Sequence, residues 1–411
     1  MTRAPSLVIG FIALPLAFGC GDADRVASGE GAEPRYVGGE ACATCHQVEA
    51  SAWAGSHHDL AMQEADASTI LADFEAADFD ASGVTYGFLR RDGAHFVRTP
   101  GADGVTADHR VEYVFGVDPL QQYLVSLDGG RLQALNVAWD SRPEDEGGQR
   151  WFHLYPDERV DTSNPLHWTR LSQNWNYMCA ECHSTGLSKG YDLEARSYET
   201  TWSEINVSCE ACHGPGSGHV EIAESGSRAA ESGWGVPAPL GDQGRQWTFL
   251  PEAHIASLPE PAVPSAEIET CAHCHARRST ISEGRLAGTP LLDTDHVSLL
   301  REGLYHPDGQ IQDEVYVYGS FVQSKMYRAG VTCSDCHDPH TLQLRRPGNA
   351  LCGGCHLATV YDTSEHHYHP LESAGASCVE CHMPASTYMV VDPRRDHSMR
   401  VPRPDLSESI G

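Results

Sequence analysis

Lysine is nearly missing from this chain: only Lys189 and Lys325 occur in 411 residues. Basic residues number 28 against 57 acidic ones, for a formal charge of −29. A nucleic-acid partner needs clustered Lys and Arg to displace phosphate counterions, so that class of function is set aside. Long apolar runs are equally scarce. The one stretch of that kind, Leu7 to Phe18, lies at the extreme N-terminus, and no internal segment reaches the roughly 20 apolar residues of a spanning helix. Cysteines at irregular spacings, the mark of a disulfide scaffold, are also lacking. Apolar residues still make up 40% of the chain, too many for a disordered polymer. The length suits two or three domains.

What the chain has instead is fifteen cysteines, fourteen of them in seven Cys-x-x-Cys pairs that each run directly into a histidine. The first four read Cys42-Ala-Thr-Cys45-His46, Cys179-Ala-Glu-Cys182-His183, Cys209-Glu-Ala-Cys212-His213 and Cys271-Ala-His-Cys274-His275. The last three are Cys333-Ser-Asp-Cys336-His337, Cys352-Gly-Gly-Cys355-His356 and Cys378-Val-Glu-Cys381-His382. This is the attachment signal of haem c. Cysteines three apart stand about one helical turn from each other, so both thiols reach the vinyl groups of one porphyrin. The histidine that follows meets the iron from the same side. Structural zinc also uses Cys-x-x-Cys pairs, but it has no need of a histidine behind all seven. A thioredoxin-like motif would occur once, in a βαβ setting. The expected cofactors are therefore seven haems c, with His46, His183, His213, His275, His337, His356 and His382 as proximal ligands.

The fifteenth cysteine, Cys20, closes a segment that carries Arg3 near its start and then the apolar stretch, the layout of a secretory signal. Ala17-Phe18-Gly19-Cys20 resembles a lipoprotein signal box, with Ala17 where leucine is usual, and makes Cys20 the lipidation candidate. The alternative is that Cys20 leaves with the signal peptide. Gly21 to Pro34 is small and acidic and reads as a flexible tether. Haem c is attached outside the cytoplasm, so the expectation is an exported protein, periplasmic or at the cell surface, held to a membrane by its lipid.

The gap between the first two motifs is by far the longest, and its texture differs. Val84, Tyr86 and Phe88 alternate with polar or small residues, Asp92-Gly93 offers a hairpin turn, and Val111, Tyr113 and Phe115 alternate again. Leu124 to Leu127, a turn at Asp128-Gly129 and Arg131 to Trp139 form a second hairpin. Elsewhere Ala41–Trp53 and His57–Ala65 suit short helices, separated by Pro- and Gly-bearing connections. The expected fold class is a mainly α and irregular multihaem cytochrome c with a haem-filled core and a β-rich insert. The expected order is a signal peptide over 1–19, the tether over 20–35, a first haem segment over 36–81, the insert over 82–155 and a six-haem domain over 156–411.

Of the 23 histidines, sixteen remain after the proximal seven, enough to give every iron a second imidazole. His95 and His109 fall in the insert and are assigned ordinary roles; His273, inside a motif, is expected to point outward. Tyr36-Val-Gly-Gly-Glu-Ala-Cys42 with Trp53-x-x-Ser56-x-His58 resembles the opening of multihaem cytochromes related to the tetrahaem nitrifier cytochrome. Asn174-Trp-Asn-Tyr-Met-Cys179 and Cys209-Glu-Ala-Cys-His-Gly-Pro-Gly-Ser217-x-His219 resemble members with a doubled Cys-x-x-Cys-His domain. So do Tyr316-Val-Tyr-Gly-Ser-Phe321, Val331-Thr-Cys-Ser-Asp-Cys-His-Asp-Pro-His340 and Val391-Asp-Pro-Arg-Arg-Asp-His397. Long members continue into tetratricopeptide repeats, for which this sequence shows no counterpart after Pro404. The resemblance implies distal ligation by His58 (or His57), His219, His340 and His397. His306 and His369 (or His366) come next, and the last place goes to His296, with His167 and His153 as alternatives. Arg394 and Arg395, beside His397, are candidates to pair with haem propionates.

Two functions follow. One is a conduit that passes electrons between redox-protein partners through mostly bis-histidine haems. The other is an oxidoreductase in which one haem keeps an open face, expected between His275 and His337, and acts on a small nitrogen or sulfur compound. The subtype that marks such a haem with a motif lysine is excluded, because every motif here ends in histidine. Mass spectrometry of the matured chain should show seven covalent haem additions; six or fewer would contradict the count.

Overall fold

Period-two alternation runs through most of the stretch from Val84 to His153, and the computed structural model turns it into one antiparallel sheet. The structure describes residues 33–75, 78–81, 83–226, 235–237, 240, 245–259 and 265–410. The expected signal peptide, Cys20 and nearly all of the tether lie outside the described residues. Eight strands build the sheet: β1 (Met62–Glu64), β2 (Phe79–Ala81), β3 (Val84–Arg91), β4 (Ala94–Pro100), β5 (Thr106–Phe115), β6 (Leu120–Leu127), β7 (Arg131–Asp140) and β8 (Arg150–His153). Strands β2 to β8 pair in sequence order, and β1 joins the far end of β5, Met62 opposite Phe115. The β3–β4 hairpin turns at Asp92-Gly93, where both residues have positive φ (51° and 79°), as a two-residue turn matched to strand twist demands.

Both faces of β6 and β7 are buried, and they bury different things. One face gathers Tyr86, Phe88, Val97, Tyr123, Leu135, Val137, Trp139 and Trp151 into the main aromatic core. There Phe88 stacks flat on Trp151 at 3.7 Å. The other face presents Phe115, Leu124, Leu132 and Ala134, and these close over Trp175 and Ala180 of the second Cys-x-x-Cys-His segment. Asn176 fastens that segment to the sheet. Its Oδ1 accepts from Leu132 N at 2.7 Å, and its Nδ2 donates to Gly130 O at 3.1 Å. The sheet is thus the wall on which the second motif stands.

Beyond that sheet the described residues form short helices, turns and three two-stranded ribbons, so helix and strand are present in similar measure where a mainly α and irregular fold was expected. The longest described helix, Ala266–His275, has ten residues, no more than β5 or β7. Segment 57–65 is not a helix either: it makes turns and then β1, because Met62 fits wholly buried beside Phe115 and Trp175. Residues 35–411 form one compact unit. No helix among the described residues is long and apolar enough to cross a membrane.

The β6–β7 turn carries a very tight backbone approach. Gly130 has φ +69°, and an added Cβ would sit 2.1 Å from the Tyr198 carbonyl oxygen. Gly147 has φ +82° with open space around it. Gly147→Ala should therefore cost only the left-handed penalty of about 1–2 kcal/mol. Gly130→Ala should cost at least about 2 kcal/mol more, because the neighbour is backbone and cannot swing away. Urea titration followed by circular dichroism measures both; equal midpoint shifts would refute the close-approach argument.

Candidate haem-binding sites

Each attachment motif sits on a single helical turn, as its spacing requires. In motifs one, five and six the histidine N–H donates back to the carbonyl of the first cysteine four residues earlier: His46 to Cys42 at 2.9 Å, His337 to Cys333 at 2.9 Å and His356 to Cys352 at 2.8 Å. Motifs two, three and seven lie in Ala180–His183, Cys209–His213 and Cys378–His382, and the fourth ends the Ala266–His275 helix. All fourteen thiols are free of disulfides, as covalent attachment to a porphyrin requires.

The histidines come together in facing pairs. His46 faces His219 with ring centroids 6.0 Å apart, and His58 faces His275 at 6.3 Å. His213 faces His340 at 6.4 Å with the planes 13° apart, and His382 faces His366 at 6.2 Å and 12°. Metal–imidazole bonds run about 2 Å, so two in line place the ring centroids roughly 6 Å apart, and these residues fit an iron between them. His397 is in electrostatic reach of His337. Its Nδ1 donates to the Arg395 carbonyl at 2.9 Å, which leaves Nε2 free to bind a metal. The same tautomer is set at His183 by Ala61 O (2.9 Å) and at His382 by Arg400 O (2.6 Å). Burial first, and then the charge of His275, pushes His58 down to about 4. Neutral imidazole is the form that coordinates iron.

Other candidates are not brought to a motif histidine. His296 lies exposed on the short strand Asp295–Val297, and His306 is exposed beside Asp308. The His369 ring packs against Gly375, and its neighbour His366 takes the place opposite His382, because the Ser364–His367 turn carries His366 there. His167 bonds Thr169 at 2.9 Å, and His153 accepts from Tyr155 N at 3.1 Å. The ring contacts of His183 and His356 are with Phe115 (5.4 Å, edge-on) and Tyr361 (5.6 Å, edge-on). His273 does not point outward: it is buried, 3.0 Å from Asp295 Oδ2 and 3.2 Å from the Thr289 carbonyl, because its helix packs that face inward. Arg394 and Arg395 already have carboxylate partners, Glu314 and Asp392 at 2.6 Å for the first and Glu380 at 2.7 Å for the second.

Motif acids do work that the spacing argument did not reach. Glu210, inside the third motif, accepts from Val37 N, Gly38 N and Gly216 N at 2.9, 2.8 and 2.7 Å. Glu181, inside the second, takes Arg278 at 2.9 Å, Thr280 at 2.7 Å and Lys189 at 3.0 Å. Burial would raise the Glu181 carboxyl, but these partners pull it down to about 2. The only signal in the sequence was an acid inside the attachment motif, a place where the haem itself asks for none.

Two family models match the chain. The model for cytochrome c554 and c-prime matches residues 41–82 and 154–214, and the doubled CXXCH motif matches residues 325–360. The fold resembles the crystal structure of the outer cell wall cytochrome OcwA, at 19% identity over 92% of this chain and 82% of that one, with a TM-score of 0.59. The matched motifs and the shared fold support a multihaem c-type cytochrome family for this chain. Strands β3 to β8 of this cytochrome fall in the gap between the two stretches of the c554 match. Weaker likenesses are an undecahaem cytochrome from the S-layer of Carboxydothermus ferrireducens and the octahaem sulfite reductase MccA of Wolinella succinogenes. The first is 19% identical over 90% of this chain and 52% of that one (TM-score 0.43), the second 17% over 89% and 58% (0.38). No protein of curated function matches the sequence.

The choice between His366 and His369 is open to direct test. His366→Ala should convert one haem from low spin to high spin in the electron paramagnetic resonance spectrum, while His369→Ala leaves the spectrum unchanged. The reverse result would mean that the 6.2 Å facing of His366 and His382 has no bearing on ligation.

Proposed function

We propose that this cytochrome is an exported heptahaem electron conduit. The fourteen motif thiols would hold seven haems c, and the seven motif histidines would be their proximal ligands. Distal ligands would be His219 for the first motif, His340 for the third, His58 for the fourth, His397 for the fifth and His366 for the seventh. Bound haem c supplies one-electron ferric/ferrous chemistry. What the chain contributes is position. Each motif imidazole is aimed by its own short turn, burial favours the neutral form at His183, His213, His337 and His356, and at five motifs a second imidazole would close the opposite face. The observation that carries this reading is the set of facing histidine rings at 6.0 to 6.4 Å. Export and a lipid at Cys20 belong to the same proposal. They rest on the N-terminal pattern and on haem c being attached outside the cytoplasm, with redox proteins as donor and acceptor.

A second reading keeps one iron open, and His183 favours it. Tyr316 lies within electrostatic reach of both Cys182 and Cys179, and Tyr155 within reach of Cys179. That arrangement would put phenols, and Arg394 over the Tyr316 ring at 5.9 Å, beside the second haem, where a small nitrogen or sulfur oxyanion could be held. Glu314 pairs with Arg394 in the same place. This is a different location from the segment between His275 and His337 in which the open haem was first expected, although Tyr316 belongs to that segment.

Electron paramagnetic resonance of the oxidised protein and carbon monoxide titration of the reduced protein separate the two. A conduit gives only low-spin ferric signals and little carbon monoxide binding. One reproducible high-spin haem that takes one equivalent of carbon monoxide, and is lost in Cys179→Ser/Cys182→Ser, would replace the conduit with the open-site oxidoreductase.

A further inference from the structure

Numbered 1 to 7 in chain order, the attachment sites are stapled to one another in an order that differs from the sequence. Site 3 holds site 1: Glu210 binds the backbone N–H groups of Val37 and Gly38, just ahead of Cys42. Site 2 is bound to site 4 through Glu181 to Arg278 and through Cys182 Sγ, 3.8 Å from Cys274 O. Site 4 is bound to site 5 by Glu267, whose carboxylate accepts from Ser334 N at 2.7 Å and Ser334 Oγ at 2.8 Å. Asn349 joins site 6 to site 7, accepting from Cys378 N at 2.9 Å and donating to Ala376 O at 2.9 Å. The two remaining links run through neighbouring segments. Between sites 3 and 4, Val207 N, two residues ahead of Cys209, donates to the carbonyl of His58 at 3.1 Å, and the His58 ring faces His275. Between sites 5 and 6, Trp247 Nε1 donates to Asp335 at 3.0 Å, Thr248 pairs with Ser257, and Ala256 N donates to the Cys355 carbonyl at 2.8 Å. Among all fourteen motif cysteines only Cys45 and Cys381 are exposed, one in the first site and one in the last.

We infer that the attachment sites form one through-line, 1–3–4–5–6–7, with site 2 as a side branch joined at site 4, and that outside redox partners exchange electrons at the two exposed ends. The inference rests on the conduit reading and adds its route. Each transfer oxidises one ferrous site to ferric and reduces its ferric neighbour to ferrous; no bond or proton moves, and a one-electron protein donor and acceptor at the two ends balance the traffic. Site 4 is the junction, because it is linked to sites 2, 3 and 5. The motif acids Glu210 and Glu181, and Glu267 one turn ahead of the fourth motif, are positioning residues, since each holds one attachment turn against another.

The test reads arrival times in the fully haem-loaded protein. A photo-excited one-electron reductant is attached at Ala385→Cys, an exposed position four residues beyond Cys381, and a sacrificial donor regenerates it. Replacing a distal histidine by methionine keeps the haem attached and raises its potential, so it becomes an electron sink with its own absorbance. Four proteins carry one sink each: His397→Met at site 5, His58→Met at site 4, His340→Met at site 3 and His219→Met at site 1. The sinks should fill in that order after the flash. Adding Cys179→Ser/Cys182→Ser to the His219→Met protein should change the arrival time by less than about twofold. Site 3 filling before site 4 would overturn the junction, and a slowing of about tenfold without site 2 would place that site on the line. If site 2 proves necessary for maturation, the four single-sink proteins still decide the order. An electron that never leaves site 7 in any of them would overturn the conduit reading as well as the route, whereas arrival in the wrong order overturns the route alone.

Discussion

An imidazole can reach an iron only if its own backbone turn, its tautomer and the depth of its ring all agree, and everything else in this cytochrome is arranged around meeting that demand many times over. The facing pairs join remote segments: His46 to His219, His58 to His275, His213 to His340. Each pair draws a motif across more than a hundred residues of chain, and loops then have only to connect points already determined. This is why helices of four to ten residues suffice. Such helices are too short to hold themselves together and need the links that cross between them.

The sheet solves a different problem. A chain built of short turns has little to lean on, and β6 and β7 offer a surface buried on both sides. Its aromatic side is an ordinary packed core, with Phe74, Phe88 and Trp151 in contact. Its other side receives Trp175, held by Asn174 and Asn176, so that the second motif is the one most firmly mounted on regular structure. His183 then takes its orientation from Ala61, immediately ahead of β1, and the edge of Phe115 closes beside it. A rigid wall behind one motif and neighbouring motifs bound to each other elsewhere are two ways of limiting motion where a site must keep its geometry.

Charge is handled locally despite the acid excess. The two arginines expected to meet propionates have carboxylate partners, Arg394 with Glu314 and Asp392 and Arg395 with Glu380, and Arg142 binds the fully buried Asp140 at 2.7 Å. Burial tends to raise the Asp140 carboxyl, but the Arg142 hydrogen bond outweighs it and holds the group below the usual carboxylate range. A depressed carboxylate stabilises the fold above its unfolded-state value, near pH 4, and that contribution fades as pH falls through the lower folded-state value. The buried Asp140–Arg142 pair therefore supports the fold at neutral pH and weakens in acid.

The turn at each attachment motif was legible from the residues alone because it is local. Two thiols and an imidazole within one helical turn define their own geometry whatever surrounds them. The Asp92-Gly93 and Asp128-Gly129 turns were legible for the same reason, since the flanking alternation needs nothing beyond its own strand pair. What stands opposite each motif histidine is a long-range matter, and there local pattern gave out. His366 and His369 sit three residues apart in similar company, and only the Ser364–His367 turn separates the ring that meets His382 from the ring that lies on Gly375. His273 turned inward because Asp295, twenty-two residues on, waited for it. The residues by themselves determined each Cys-x-x-Cys-His turn; which side chain would face its histidine was decided only when the tertiary fold brought distant segments within a few ångströms.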